Sequence, residues 1–134
     1  MNTNENNIKS TLDIHLLELA RLRIGYINEC DYSIDLHYNE LKNFGETDFR
    51  LSLVSVWNQV PYFSEKERAI FALTDCIFSS NDNNELESVF TLLEPHFTDE
   101  QISALTQAIK QINLWTRSMK HLDAITICKE NTGN

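Results

Sequence analysis

With 134 residues, the chain can bury a hydrophobic core without a metal or a disulfide, so we expect a single domain spanning residues 1–134. Its 11 Lys and Arg against 20 Asp and Glu give a net charge of −9 without a basic cluster, which argues against nucleic acid as a partner because phosphates need a cationic surface. No apolar run approaches the ~20 residues that span a membrane, and the first residues lack a secretory signal, so we expect a cytoplasmic protein without a membrane partner.

The composition and the first apolar pattern both predict helices. Hydrophobic residues make up 42% of the chain and only three Gly and two Pro interrupt it, which favours an all-α fold over short strands. Residues 1–9 are polar and predict a flexible arm. A first helix is expected from an N-cap at Ser10 or Thr11 to a bend near residues 28–29, with Glu18 and Arg21 spaced to pair. Its core stripe would contain Leu12, Leu16, Leu19, Leu22 and Ile27.

A second helix is expected from Cys30 or Asp31 to Phe44, ending at Gly45. Cys30, Ser33 and His37 would share one face of it, with Cys30 and Ser33 in its first turn, where exposed N–H groups and the helix dipole favour a thiolate. The bend would lay the first two helices antiparallel. Glu18 and His37 then lie at nearly the same height, ~15 Å from the bend, and could meet.

Four further helices bring the expected total to about six. A third should run from a Thr47 N-cap to about Trp57, and a fourth should open at the capping box of Ser64 and Glu67, with Cys76 in the core. Two more are predicted over residues 85–93 and from the second capping box at Thr98 to about residue 121, which leaves 123–134 as a loose tail.

The three cysteines, Cys30, Cys76 and Cys128, form an odd and widely spaced set that fits a reducing compartment better than a disulfide framework or a zinc site. The sequence also lacks a Gly-rich phosphate loop, HExxH and GxSxG. We therefore predict neither a cofactor nor a metal.

The spacing of Glu18, Cys30, Ser33 and His37 resembles the carboxymuconolactone decarboxylase and alkylhydroperoxidase D (AhpD-like) family. The family pattern is a Glu, then twelve residues on a Cys-x-x-Cys-x-x-x-His, and here Ser33 stands at the second cysteine. The resemblance continues through Trp57, 61–69 and 112–117, and so covers about residues 16–117.

The resemblance implies an AhpD-like helical bundle that forms a homo-oligomer, as a dimer, trimer or hexamer. In that family the second cysteine attacks, deprotonated through the His and Glu, and the first resolves the product into a disulfide. Ser33 breaks this cycle because an alkyl hydroxyl is far less acidic than a thiol and forms no disulfide. The first interpretation is therefore a thiol-dependent peroxidase or disulfide reductase, impaired or altered, with a dithiol reductant and a small-molecule substrate as partners.

Other interpretations use the same residues differently. Cys30 could support one-cysteine chemistry. Glu18 and His37 could act as base and acid on a small lactone acid, in a decarboxylase-type reaction helped by a cationic patch of Arg21 and Arg23. The chain could also be a non-catalytic oligomeric interaction scaffold, in which Glu18 is an ion-paired carboxylate, Cys30 a small buried residue and His37 a structural histidine.

Overall fold

The computed structural model describes residues 13–79 and 83–132, and all of its regular structure in these ranges is helical. No strand occurs among these residues, so the all-α prediction is confirmed. Within the same ranges, no helix combines the length and the apolar character needed to cross a membrane. The elements are α1 (Ile14–Ile27), α2 (Asp31–Asn43), α3 (Asp48–Leu53), a 3₁₀ helix (Val54–Gln59), α4 (Glu65–Ser79), α5 (Asn83–Leu93) and α6 (Asp99–Thr132).

Helix α1 is the central element of the bundle. It packs against α2, α4, α6 and the 3₁₀ helix, because apolar residues cover most of its circumference. Leu16, Leu19 and Leu22 of the expected stripe are buried. The described helix begins after an Asp13 N-cap, whose carboxylate accepts a hydrogen bond from the His15 N–H at 2.9 Å. The predicted caps, Ser10 and Thr11, and the expected arm at 1–9 lie outside the described residues.

The bend between α1 and α2 is a Schellman motif. The Cys30 N–H donates to the Gly25 carbonyl at 3.0 Å and the Glu29 N–H donates to the Tyr26 carbonyl at 3.1 Å. Glu29 takes the left-handed conformation, φ 52°, that glycine usually supplies. Gly25 lets α2 approach closely, since a Cβ there would lie 3.2 Å from Ile34 Cγ1. The two helices therefore run antiparallel, as the sequence predicted.

Helix α2 has the predicted bounds, but the third predicted helix does not. Gly45, at φ 95°, ends α2 after Phe44, and the Thr47 hydroxyl accepts from the Arg50 N–H. The α-helix then stops at Leu53 and continues as the 3₁₀ helix, so the single helix expected to Trp57 is wrong. The backbone kinks at Val56, whose φ and ψ are not helical, and the indole N–H of the buried Trp57 donates to Asp75 at 3.0 Å.

The capping boxes at Ser64 and Thr98 are confirmed. In each, the hydroxyl of the capping residue accepts from the backbone N–H three residues on, and the side chain of that later residue accepts from the backbone N–H of the capping residue. Cys76 is buried in the core, as expected. Helix α6 does not end near residue 121. It continues to Thr132, so the loose tail expected from residue 123 is wrong, because neither glycine nor proline interrupts residues 99–132.

Candidate functional site

Glu18 of α1 and His37 of α2 meet across the antiparallel pair. Glu18 Oε2 lies 2.8 Å from His37 Nδ1, and the two residues are only 6% and 7% exposed. Because a carboxylate only accepts hydrogen bonds, Nδ1 is the nitrogen that carries the proton in this contact. The contact predicted from their equal distance to the bend is present.

A second donor holds the other oxygen of the same carboxylate. Arg21, one turn later on α1, donates to Glu18 Oε1. Burial by itself would raise the pKa of the Glu18 carboxyl, but the hydrogen bonds from His37 and Arg21 outweigh it, so that pKa lies below its ordinary value of 4.5. Glu18 is therefore an anion at neutral pH and fixes the orientation of the imidazole.

The other imidazole nitrogen has no such neighbour. His37 Nε2 is buried and has no hydrogen-bond partner among the described residues. In the neutral ring, with the proton on Nδ1, Nε2 carries a lone pair and is basic. A buried polar atom left unpaired in a native structure calls for an explanation, and a bound substrate or water that completes the bond is one.

A cavity of about 380 Å³ adjoins the His37 ring and supplies room for such a partner. Helix α6 forms one wall of it and α1 and α2 form the other. Most of its surface is apolar, and the guanidinium of Arg21 is its charged group. The lining residues are Arg21, Leu36, His37, Gln111, Ile112 and Trp115.

Cys30 and Ser33 are not among the lining residues. The Cys30 thiol donates to the Ser33 hydroxyl at 3.4 Å, and the two residues are 1% and 0% exposed. Cys30 is the N-cap of α2 rather than part of an exposed first turn, and its own N–H is bonded to Gly25. Cys30 therefore lies at the amino end of the helix, as expected, but packing closes over its thiol.

Sequence reasoning did not place the wall formed by α6. Trp115 of α6 is 41% exposed, and its ring centroid lies 6.4 Å from that of His37. Asn113 accepts a hydrogen bond from Asn28 at 3.1 Å, which ties α6 to the bend between α1 and α2. The only signal in the sequence was the stretch 112–117 in the family resemblance.

The expected cationic patch is half present. Arg21 lines the cavity, but Arg23 does not, because it pairs with Asp75 of α4 at 2.7 Å and donates to the Ser55 carbonyl. One guanidinium is thus available to an anionic substrate at this cavity.

One other cluster has the donor atoms of a metal site. His15, Glu46 and Glu67 bring one ligand atom each to within 4.8 Å of one another. Arg50 already lies between the two carboxylates, donating to Glu46 at 2.6 Å and to Glu67 at 2.7 Å. The hydrogen bonds of Arg50 lower the pKa of Glu46, and they outweigh the burial that would raise that of Glu67. This ion-pair network joins α3 and α4 to the end of α2, and its cation is the guanidinium.

Comparison with known proteins places this geometry in a family. The model of the carboxymuconolactone decarboxylase family matches residues 1–75, which include Glu18, Cys30, Ser33 and His37. The chain belongs to the carboxymuconolactone decarboxylase family.

Two proteins are similar to this chain over most of its length. An uncharacterized protein of Bacillus subtilis (strain 168), YdfG, is 28% identical over 109 residues, 81% of this chain and 74% of its own. A crystal structure from Agrobacterium tumefaciens is 33% identical with a TM-score of 0.75, and covers 84% of this chain and 78% of its own. That protein is of unknown function and is provisionally assigned to antioxidant defence as AhpD. The expected AhpD-like fold is confirmed.

Proposed function

We propose that this protein is a decarboxylase-type acid–base enzyme, in which His37 transfers a proton at a carbon atom of a small carboxylated substrate. The observation that carries the proposal is the buried Glu18–His37 pair, which leaves Nε2 unpartnered on a residue that lines an apolar cavity. This pair needs no thiol, so the replacement of the second cysteine by Ser33 does not impair it.

Glu18 has two roles in this mechanism. Its carboxylate holds the proton on Nδ1 and so presents the basic form of Nε2. When Nε2 takes up a proton, the same carboxylate stabilises the imidazolium at 2.8 Å. Both roles require that Glu18 stay ionised, which the bonds from His37 and Arg21 favour.

The cavity indicates the class of substrate. Leu36, Ile112 and Trp115 suit a small unsaturated carbon skeleton, and Arg21 suits a carboxylate on it. Arg21 commits one N–H to Glu18, and its guanidinium has further donors to offer. A small lactone acid, apolar on one side and anionic on the other, has these features.

The reaction balances with the residues at hand. The bond between the carboxylate carbon and the ring breaks, CO₂ leaves, and the electron pair remains on the ring carbon, delocalised into the neighbouring unsaturation. Nε2 of the neutral His37 ring takes up a proton from water, and the resulting imidazolium donates it to that carbon, which returns the ring to its neutral form. The apolar wall keeps the developing charge from bulk solvent, which strengthens its interaction with Arg21.

Thiol chemistry is the second candidate. Cys30 occupies a cysteine position of the family pattern, and the Agrobacterium relative is assigned to antioxidant defence. A Cys30 thiolate could displace an alcohol from a hydroperoxide, giving a sulfenic acid that a dithiol donor would reduce. The burial of Cys30, and its bond to Ser33 away from the cavity, make this route slow.

We also propose that the chain forms a homo-oligomer through the surface beside the cavity. Four large apolar side chains of α2 and α6 are exposed there, at 37–66%: Tyr32, Leu36, Leu114 and Trp115. Exposed apolar surface of this kind favours association. Light scattering should give a mass above 15.6 kDa that falls in a Leu114→Glu variant, and a wild-type monomer would contradict the proposal.

The function is tested by turnover of an unsaturated lactone bearing a carboxylate, followed by CO₂ release. His37→Gln should lower kcat by roughly 10²- to 10⁴-fold because the proton donor is gone. Cys30→Ala, the matched control for the thiol route, should keep the wild-type rate. A rate that survives His37→Gln, or that is lost in Cys30→Ala, would overturn the proposal.

The thiol route has its own assay, which is peroxide consumption with a dithiol donor. Ser33→Cys restores the family's pair of cysteines and should consume peroxide far faster than the wild type, provided that Glu18 and His37 remain. A wild type as fast as Ser33→Cys would favour the thiol enzyme.

A further inference from the structure

A second cavity is lined by residues other than those of the cavity at the Glu18–His37 pair. Its volume is about 440 Å³, and it is formed by the 3₁₀ helix, the first turn of α4 and the end of α5 with the turn after it. It shares no lining residue with the cavity at His37. The lining consists of Trp57, Glu65, Arg68, Ala69, Thr91, Leu92, Pro95 and His96.

Arg68 is a fixed cation at this cavity. Its Nη1 donates to the Trp57 carbonyl at 3.2 Å and to the Val60 carbonyl at 3.0 Å, and its guanidinium carbon lies 5.3 Å from the centre of the Trp57 ring. These contacts hold the guanidinium in place while leaving Nε and Nη2 without a partner in the described part of the chain. Because the side chain of Arg68 is already ordered, a ligand that binds it causes little further loss of conformational entropy.

Among the described arginines that are not exposed, Arg68 alone lacks a counter-ion. Arg21, Arg23 and Arg50 each pair with a carboxylate. Within residues 13–79 and 83–132, Arg68 has no carboxylate within ion-pairing distance, although the chain carries a net charge of −9. An anchored, half-buried guanidinium without its own anion is suited to binding one from outside.

The rest of the cavity limits the kind of anion. The Trp57 ring, Leu92 and Pro95 give it apolar surface, so an organic body is accommodated beside the charge. The imidazole of His96 adds a ring N–H donor beside the guanidinium of Arg68. Glu65 adds a carboxylate, which disfavours the binding of multiply charged anions. The amino end of α4 and the carboxyl end of α5 both adjoin the cavity, so their dipoles offset each other and Arg68 sets the charge preference.

We propose that this cavity is a second ligand site, which binds a small monocarboxylate with an aromatic or aliphatic body. The carboxylate would lie on Arg68 and His96, and the apolar body on Trp57 and Leu92. The proposal is independent of the chemistry assigned to His37.

Binding is tested with phenylacetate, in a Trp115→Phe background that leaves Trp57 as the sole tryptophan of the chain. Phenylacetate should change the Trp57 emission in a saturable manner. Inorganic phosphate, which has the charge without the body, and 2-phenylethanol, which has the body without the charge, should not. This local reporter excludes a signal from the cavity at His37, where a carboxylate is also expected.

Two matched variants locate the site without disturbing Arg68. Leu92→Glu places a negative charge on the cavity wall and should weaken phenylacetate binding by about tenfold or more. Leu86→Glu, the same change at an exposed residue of α5 that does not line the cavity, should leave binding unchanged. Equal affinity in both variants, equal binding of phosphate, or no signal and no heat by calorimetry up to the solubility of the probe would overturn the proposal.

Discussion

Replacing Glu18 by Gln removes one charge from the site and keeps the shape of the side chain. Glu18 accepts bonds from the His37 Nδ1–H and from Arg21 within a largely buried environment. A hydrogen bond to a charged group contributes about 1.5–3 kcal/mol, and Gln offers only one acceptor while its NH₂ faces the other donor. We expect Glu18→Gln to lower the free energy of unfolding by about 2–4 kcal/mol near pH 7.

The loss should depend on pH with a definite sign. The folded-state pKa of Glu18 lies below the ordinary 4.5, so as pH falls the unfolded chain takes up the proton first. The stabilisation by the carboxylate is therefore fully present above that value and is lost as pH falls through the folded pKa. The stability gap between wild type and Glu18→Gln should therefore narrow as pH falls below about 4.5.

Urea unfolding followed by far-UV circular dichroism measures this gap. Glu40→Gln is the matched control, because Glu40 is an exposed carboxylate of α2, and its change should stay within about 0.5 kcal/mol. If Glu18→Gln costs no more than Glu40→Gln near pH 7, or if the gap does not narrow below about pH 4.5, the ionised and bonded Glu18 described above is wrong.

Two further predictions concern backbone and charge. Glu29→Gly relieves a left-handed φ of 52° and should raise the free energy of unfolding by about 1 kcal/mol and Tm by roughly 3–5 °C. Gly45→Ala, at φ 95°, should lower both quantities by similar amounts. Calorimetry in which the two variants change Tm in the same direction would contradict this. Arg50→Met leaves the largely buried carboxylates of Glu46 and Glu67 without their cation and should lower the free energy of unfolding by about 3 kcal/mol at neutral pH. Part of this stability should return in acid as those carboxylates protonate. A loss of stability that urea unfolding shows to be independent of pH would count against the network.

The features that sequence could predict are those set by local chemistry. The capping boxes at Ser64 and Thr98 need only residues three apart, and Gly45 marks the end of α2 by its own conformation. The meeting of Glu18 and His37 follows from two helices joined by a tight bend, since equal distances from the bend give equal heights.

The features that sequence missed depend on packing. The dipole argument for a reactive Cys30 concerns one helix end, whereas its burial results from the packing around the bend. The change from α-helix to 3₁₀ helix after Leu53 accompanies the hydrogen bond of Trp57 to Asp75 in α4, a contact between residues 18 apart in the sequence. The cavity at His37 needs α6 to cross α1 and α2, and no spacing within residues 14–43 carries that information.

The central claim, that Glu18 holds the proton of His37 on Nδ1 and leaves Nε2 basic, is tested most directly by long-range ¹H–¹⁵N NMR of the histidine rings. His37→Gln assigns its signals among the four histidines of the chain. At a pH where the imidazole is neutral, the account predicts a protonated Nδ1 and a bare Nε2, with this preference weakened in Glu18→Gln. A proton on Nε2 in the wild type, or a tautomer unchanged by Glu18→Gln, would contradict it.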